Sequence, residues 1–137
     1  MKKLLTILFV VTLAGCSQEV IEDIQTDLVV QAMTSGQWKV KSFVKGSEDV
    51  TADFSAYSFQ FKTNSSVDAI ADGSVKATGT WSADAASRKI TSTFTSQAPA
   101  TLILLNGTWT ITDSGSTYVV ANKDVGGVKW NLRLEKI

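Results

Sequence analysis

The sequence predicts an all-β protein, an eight-stranded antiparallel up-and-down barrel preceded by a short N-terminal helix. Three observations carry the prediction. From Gly36 to the C-terminus apolar residues alternate with polar ones at period 2, whereas before Gly36 they recur at three- and four-residue steps. The alternating runs number about eight and are joined mostly by short polar turns. No second helical pattern interrupts them, so parallel crossovers are disfavoured and a meander follows. A sheet with one apolar face per strand can close into a barrel or fold into a two-sheet β-sandwich. An even strand count lets the first and last strands meet antiparallel, which removes exposed edges and favours the barrel.

The chain opens on Lys2 and Lys3 and an apolar run from Leu4 to Val11, the layout of a secretory signal. The run falls short of the ~20 residues that a membrane-spanning helix needs. It leads to Leu13-Ala14-Gly15-Cys16, which contains the only cysteine of the chain. These four residues resemble a lipobox, the processing site of bacterial lipoproteins. The resemblance implies a diacylglyceryl group on the Cys16 sulfur, cleavage before Cys16 and acylation of the new amino terminus. Residues 1–15 are then a signal peptide, 16–35 a lipidated tether with a short amphipathic helix, and 36–137 the barrel domain. Several acyl chains on one residue hold a protein at a bilayer far better than a single chain does. The expected address is the cell envelope, and Ser17 after the cysteine resembles lipoproteins sorted to the outer membrane, on its periplasmic face or at the cell surface.

Residues 17–20 read as a polar leash. Ile21, Ile24, Leu28, Val29, Ala32 and Met33 then form one stripe on a helix of about three turns, with Glu22 and Asp23 in its first turn and Ser35-Gly36 as its stop. So short a helix needs a surface to lie on, and one end of the sheet structure is the expected one. The first strand places Trp38, Val40 and Val44 inward. Tyr57, Phe59 and Phe61 define the second and Val67, Ala69 and Ala71 the third, which ends at the hairpin signal Asp72-Gly73. Val75, Ala77, Gly79 and Trp81 follow, then Ile90 and Phe94. After Pro99 come Ile103, Leu105, Trp109 and Ile111, then Tyr118 and Val120, and last Val128, Trp130, Leu132 and Leu134.

Composition narrows the chemistry. Thirteen basic and thirteen acidic residues balance, so no nucleic-acid partner is expected. There is no histidine, and lipidation consumes the one cysteine. Ser-His, Cys-His and zinc-type constellations are thereby excluded, and no cofactor or metal is implied. Carboxylates remain in the loop Lys45–Ser55, with Glu48, Asp49 and Asp53 around Thr51. They lack the spacing of a calcium loop and read as a solvated loop with one helical turn capped by Asp49 or Thr51. No enzyme activity is expected.

Gly36-Gln37-Trp38 opens the first strand just after the helix. With eight meander strands behind it, this resembles the lipocalin superfamily, in particular the small lipocalin-like lipoproteins of bacterial envelopes. The resemblance implies that Gly36 and Trp38 form the opening motif and that Arg133, near the end of the last strand, packs over Trp38. It also implies a first loop acting as a lid, with Phe54 and Tyr57 as gating residues. Gly79-Thr80-Trp81 and Gly107-Thr108-Trp109 repeat one tripeptide. Glycine at a barrel bend with tryptophan filling the space beside it accounts for the repeat.

Two functions fit. In the first, the barrel binds a small apolar or amphipathic ligand against Trp38, Phe54, Tyr57, Phe59, Phe61, Trp81, Phe94, Trp109, Tyr118 and Trp130. In the second, those aromatics fill the barrel solid, and it serves as a structural or interaction module for an envelope protein or glycan. A chamber below ~300 Å³ favours the second.

Overall fold

The computed structural model describes residues 18–137, with side chains from residue 25 onward. Cys16 and the signal segment lie outside the described residues. Helix α1 (Gln18–Thr34) leads into strands β1 (Trp38–Lys45), β2 (Glu48–Asp49), β3 (Ser58–Phe61), β4 (Ser66–Ala71) and β5 (Ser74–Asp84). Strands β6 (Lys89–Thr93), β7 (Gly107–Ser114), β8 (Tyr118–Val125) and β9 (Val128–Lys136) complete the chain, with a helical turn α2 (Ala100–Ile103) between β6 and β7. A 3₁₀ turn, Thr51–Phe54, joins β2 to β3.

Every neighbour pair is antiparallel, and the ring closes where β1 pairs with β9 from Trp38↔Lys136 to Lys45↔Trp130. Eight strands form the wall; β2 is a two-residue extension folded back on β1. The barrel is therefore realised and the sandwich is not. The wall is thin at one seam, because β1 and β3 pair at Trp38↔Phe59. Further along, the 3₁₀ segment takes over the ladder. The Phe43 N–H donates to Thr51 Oγ1, and the Phe43 carbonyl accepts from Val50 N–H, both at 2.9 Å. Side chain and loop backbone thus satisfy strand groups that would otherwise be orphaned.

The helix meets the expectation that it covers one end of the barrel, and it starts earlier than expected. It begins at Gln18, so most of the anticipated leash is helical. Acidic residues near its N-terminus favour this extension through the helix dipole. Met33 is buried at the mouth, while Leu28, expected on the buried stripe, is 59% exposed. Gly36 takes φ +86°, the left-handed turn that frees the chain to enter β1.

Four inward assignments need correction, each for a local reason. A bulge between Val40 and Ser42 flips the parity of β1, so that Phe43 and not Val44 points inward. A register shift opposite Ala69/Ile70 turns Val75 outward, leaving it 53% exposed. In β8, Val119 and Ala121 are buried in place of Tyr118 and Val120. Tyr118-Val119-Val120-Ala121 is apolar throughout, so alternation alone is silent there. The partner decides it, since Val119 pairs with Leu134 and Ala121 with Leu132. Finally, Ile103 and Leu105 belong to no strand. Pro99 precedes the α2 turn, and Leu102 and Leu105, three residues apart, bury together.

Candidate functional site

The strands run between two barrel ends. One end holds α1 and the turns 62–65, 85–88 and 115–117; the other holds the 3₁₀ turn, the 72–73 and 126–127 turns and α2. At the first end, the Trp38 indole N–H donates to the Met33 carbonyl at 2.9 Å, and the Ala85 N–H donates to Thr26 Oγ1 at 3.3 Å. Trp81 Nε1 donates to the Lys62 carbonyl at 2.9 Å, and its ring meets Phe61 edge-on at 5.2 Å. At the second end, Phe54 stacks on Phe43 at 5.3 Å, and Phe43 meets Trp109 edge-on at 5.6 Å. Trp109 Nε1 donates to the Leu105 carbonyl at 2.9 Å.

Three buried tryptophans therefore each spend their single donor on a backbone carbonyl of a capping segment. A buried indole needs such a partner, and here it staples the caps to the wall. That is packing, as the tripeptide repeat suggests. The two repeats nevertheless do different work. A Cβ on Gly79 would lie 2.6 Å from the Thr93 carbonyl oxygen, so glycine lets the wall approach Phe94 there. Gly107 instead takes φ +114° at the exit of the α2 segment.

Between the caps lies a cavity of about 50 Å³. Four of the ten candidate ligand residues line it: Phe59, Phe61, Phe94 and Trp109. Trp38, Phe54 and Trp81 are buried outside its lining, and Tyr57 and Trp130 are half-buried. Tyr118 is not inside at all. It stands on the outer wall, its hydroxyl donating to Asp113 Oδ1 at 3.2 Å and its ring lying 4.7 Å from the Arg133 guanidinium carbon. The remaining lining, from Met33, Val67 and Ile90 to Leu105, Val119 and Leu132, is aliphatic. An aromatic-only search misses it; the inward parity of β8 and β9 is the signal that finds part of it. The one polar side chain on the lining besides the Trp109 indole is Ser92, whose hydroxyl donates to the Leu105 carbonyl at 2.6 Å. One hydroxyl is too few partners to hold a buried water, which needs about two to four, so the cavity favours apolar occupancy.

Phe54, expected as a gate, is fully buried at the centre of the aromatic plug. Arg133 does not cover Trp38. It pairs opposite Ser42 on the outer face, beside Glu135 at 3.6 Å, and Lys136 stands over the Trp38 ring at 5.1 Å. The strand pairing dictates this, because Trp38 faces Lys136 across the ladder.

The carboxylates are held by structural partners. Asp49 accepts from the Thr51 N–H at 2.9 Å, and hydrogen bonds from Thr51 hold it below the usual carboxylate range. Asp68 is the one buried charged residue among the described residues. Its Oδ2 lies 2.6 Å from Lys62 Nζ and its Oδ1 accepts from Thr78 at 2.7 Å. The bond from Lys62, then that from Thr78, holds its carboxyl low. Among the described residues no cluster of three His, Cys, Asp or Glu groups is placed to hold a metal ion.

Three lysines stand on inward parity at strand ends: Lys45 two residues after Phe43, Lys136 two after Leu134, and Lys123. Lys123 follows Val119 and Ala121 on the inward parity of β8. Its Nζ lies 4.6 Å from the Trp109 ring centre and 4.9 Å from that of Trp130, and burial pushes its pKa down.

The fold has a solved counterpart. A DUF4847 family protein from Bacteroides vulgatus superposes with a TM-score of 0.56 at 17% identity, covering 78% of this chain and 96% of that one. At that identity the likeness is one of fold. No family model and no curated protein matches the chain.

Proposed function

We propose that this chain is an envelope lipoprotein, tethered through lipid on Cys16 to the outer membrane, whose filled barrel is a non-catalytic scaffold. Its outer wall and loops would contact an envelope protein or glycan. The observation that carries this reading is the interior: about 50 Å³ of apolar space between two plugged ends. Ligand chambers run from about 300 Å³ upward. Trp38, Trp81, Trp109 and Phe54, which a ligand-binding barrel would turn toward its guest, are tied into the segments that close the barrel. The anchoring half of the proposal rests on the lipobox-like Leu13–Cys16.

Two measurements test the two halves separately. Titration with a panel of lipophilic fluorophores should leave tryptophan emission without saturable quenching; a saturable site for a single small apolar molecule would restore the ligand-binding reading. Mass spectrometry of the protein isolated from cell envelopes should find Cys16 as an acylated N-terminal residue. An unmodified mature N-terminus would remove the membrane tether.

A further inference from the structure

The connection from Phe94 to Asn106 is out of scale with the others. It runs for thirteen residues, 94–106, where the 72–73 and 126–127 turns use two each. Hairpin connections usually take two to five residues. It also carries no ionisable residue. Its root is tightly made. The Asn106 side chain imitates a strand partner, accepting from the Phe94 N–H at 2.6 Å and donating to the Phe94 carbonyl at 2.8 Å. The Leu105 carbonyl accepts from both Ser92 and Trp109.

Beyond that root, Thr95–Leu104 forms a flap that drives Leu102 into the barrel end, where it is fully buried. The flap's own amides bond within it, Leu102 and Ile103 N–H to the Pro99 carbonyl and Leu104 N–H to that of Thr101. The root amides of Leu105 and Asn106 donate to the Leu102 and Ile103 carbonyls, both at 3.0 Å. Lys123 Nζ ties flap to root, donating to the Leu104 carbonyl at 3.4 Å and to the Asn106 carbonyl. Leu104 is the C-cap of the α2 turn, and its carbonyl is one that the turn's own backbone leaves open. Gly107, next to the root, takes φ +114°, and a Cβ there would lie 3.4 Å from Lys123 Nζ.

We infer that Thr95–Leu104 is a hinged plug, latched by the Lys123 ammonium, which opens as a unit while the barrel stays closed. Three features make the latch releasable. The bond to Leu104 is long, the half-buried ammonium has lost part of its hydration over two indoles, and Lys45 shares the Trp130 ring with it at 4.9 Å. On opening, the ammonium regains hydration, which offsets part of the burial lost by Leu102. The open state exposes Leu102 and the interior edge of Trp109 at the end of the barrel away from α1.

Native-state hydrogen exchange on the full chain tests this. In the wild type, the Leu102, Ile103 and Leu104 amides should exchange at least tenfold faster than the ladder amides of β8 and β9, with little dependence on low urea. If they exchange only with the ladder amides, as urea rises, the plug does not open by itself and the inference fails. In Lys123→Met the stem over the indoles is kept and the donors are lost. The three flap amides should then exchange roughly tenfold faster than in the wild type, with β8 and β9 unchanged. Unchanged flap exchange in that variant, or an equal rise at every amide, would assign Lys123 no latching role.

Discussion

The two ends of the barrel are shut by opposite means. At the α1 end, one helix of 17 residues lies across the opening and satisfies its own backbone. Among the described residues the barrel gives the helix two polar contacts, the Trp38 indole to Met33 and the Ala85 amide to Thr26. At the other end the caps are a 3₁₀ turn and a four-residue α2 turn, each too short to satisfy itself. Side chains of the wall supply what they lack: Asn106 and Ser92 at the root of α2, Trp109 and Lys123 on its carbonyls. A long helix can be laid over an opening as a prefabricated lid. A short cap must be built into the wall, and its sequence then carries polar residues at positions that would otherwise be apolar.

Breaking the built-in end should have the largest effect. Phe54→Ala removes the ring stacked on Phe43 and should cost about 3–5 kcal/mol in urea unfolding, the range for a fully buried phenylalanine. A surface gate at this position would lose almost nothing, so the same measurement separates plug from gate. Next comes Asn106→Ala, which leaves the Phe94 N–H and carbonyl without their partners. About 1–3 kcal/mol is expected, again by urea unfolding. A loss near zero would mean that water replaces the amide and that the root is looser than its geometry.

Acid should weaken the α1 end by a separate route. The Asp68–Lys62 pair holds the 62–65 turn whose carbonyl receives the Trp81 indole. Asp68 has a carboxyl held below its ordinary value, so its contribution is present above the ordinary carboxylate range. It is lost as pH falls through the lower folded-state value. Stability measured at several pH values from 6 down to about 3 should therefore fall less steeply in Asp68→Asn than in the wild type. Equal slopes would remove Asp68 from the acid response. The smallest effect belongs to Arg133→Ala. With the side chain on the outer wall and Trp38 covered by Lys136, the change should stay within about 0.5 kcal/mol. A loss several times larger would mean that Arg133 supports the helix end after all.

The contrast between the ends also marks what could be read in advance. The helix announces itself through Val29, Ala32 and Met33, because a three- and four-residue period has one structural solution. Most strands do so through strict alternation, as in Phe59 and Phe61 or Leu132 and Leu134. The plug residues Phe43 and Leu102 were not legible in this way. Phe43 lies on the wrong parity until the bulge at Val40–Ser42 is known, and Leu102 sits in an apolar run that suits a strand as well as a turn.

The sequence by itself determined the class of fold, the number of wall strands, the helix at one end and the absence of histidine chemistry. Each of these depends on local periodicity or on composition, which need no knowledge of distant neighbours. Only the tertiary structure decided which aromatics meet the cavity, that Tyr118 faces outward, that Lys136 covers Trp38, and that Lys123 points in. Register shifts and bulges set those outcomes. A one-residue slip exchanges the two faces of a strand, and what selects the register is the partner strand across the ladder.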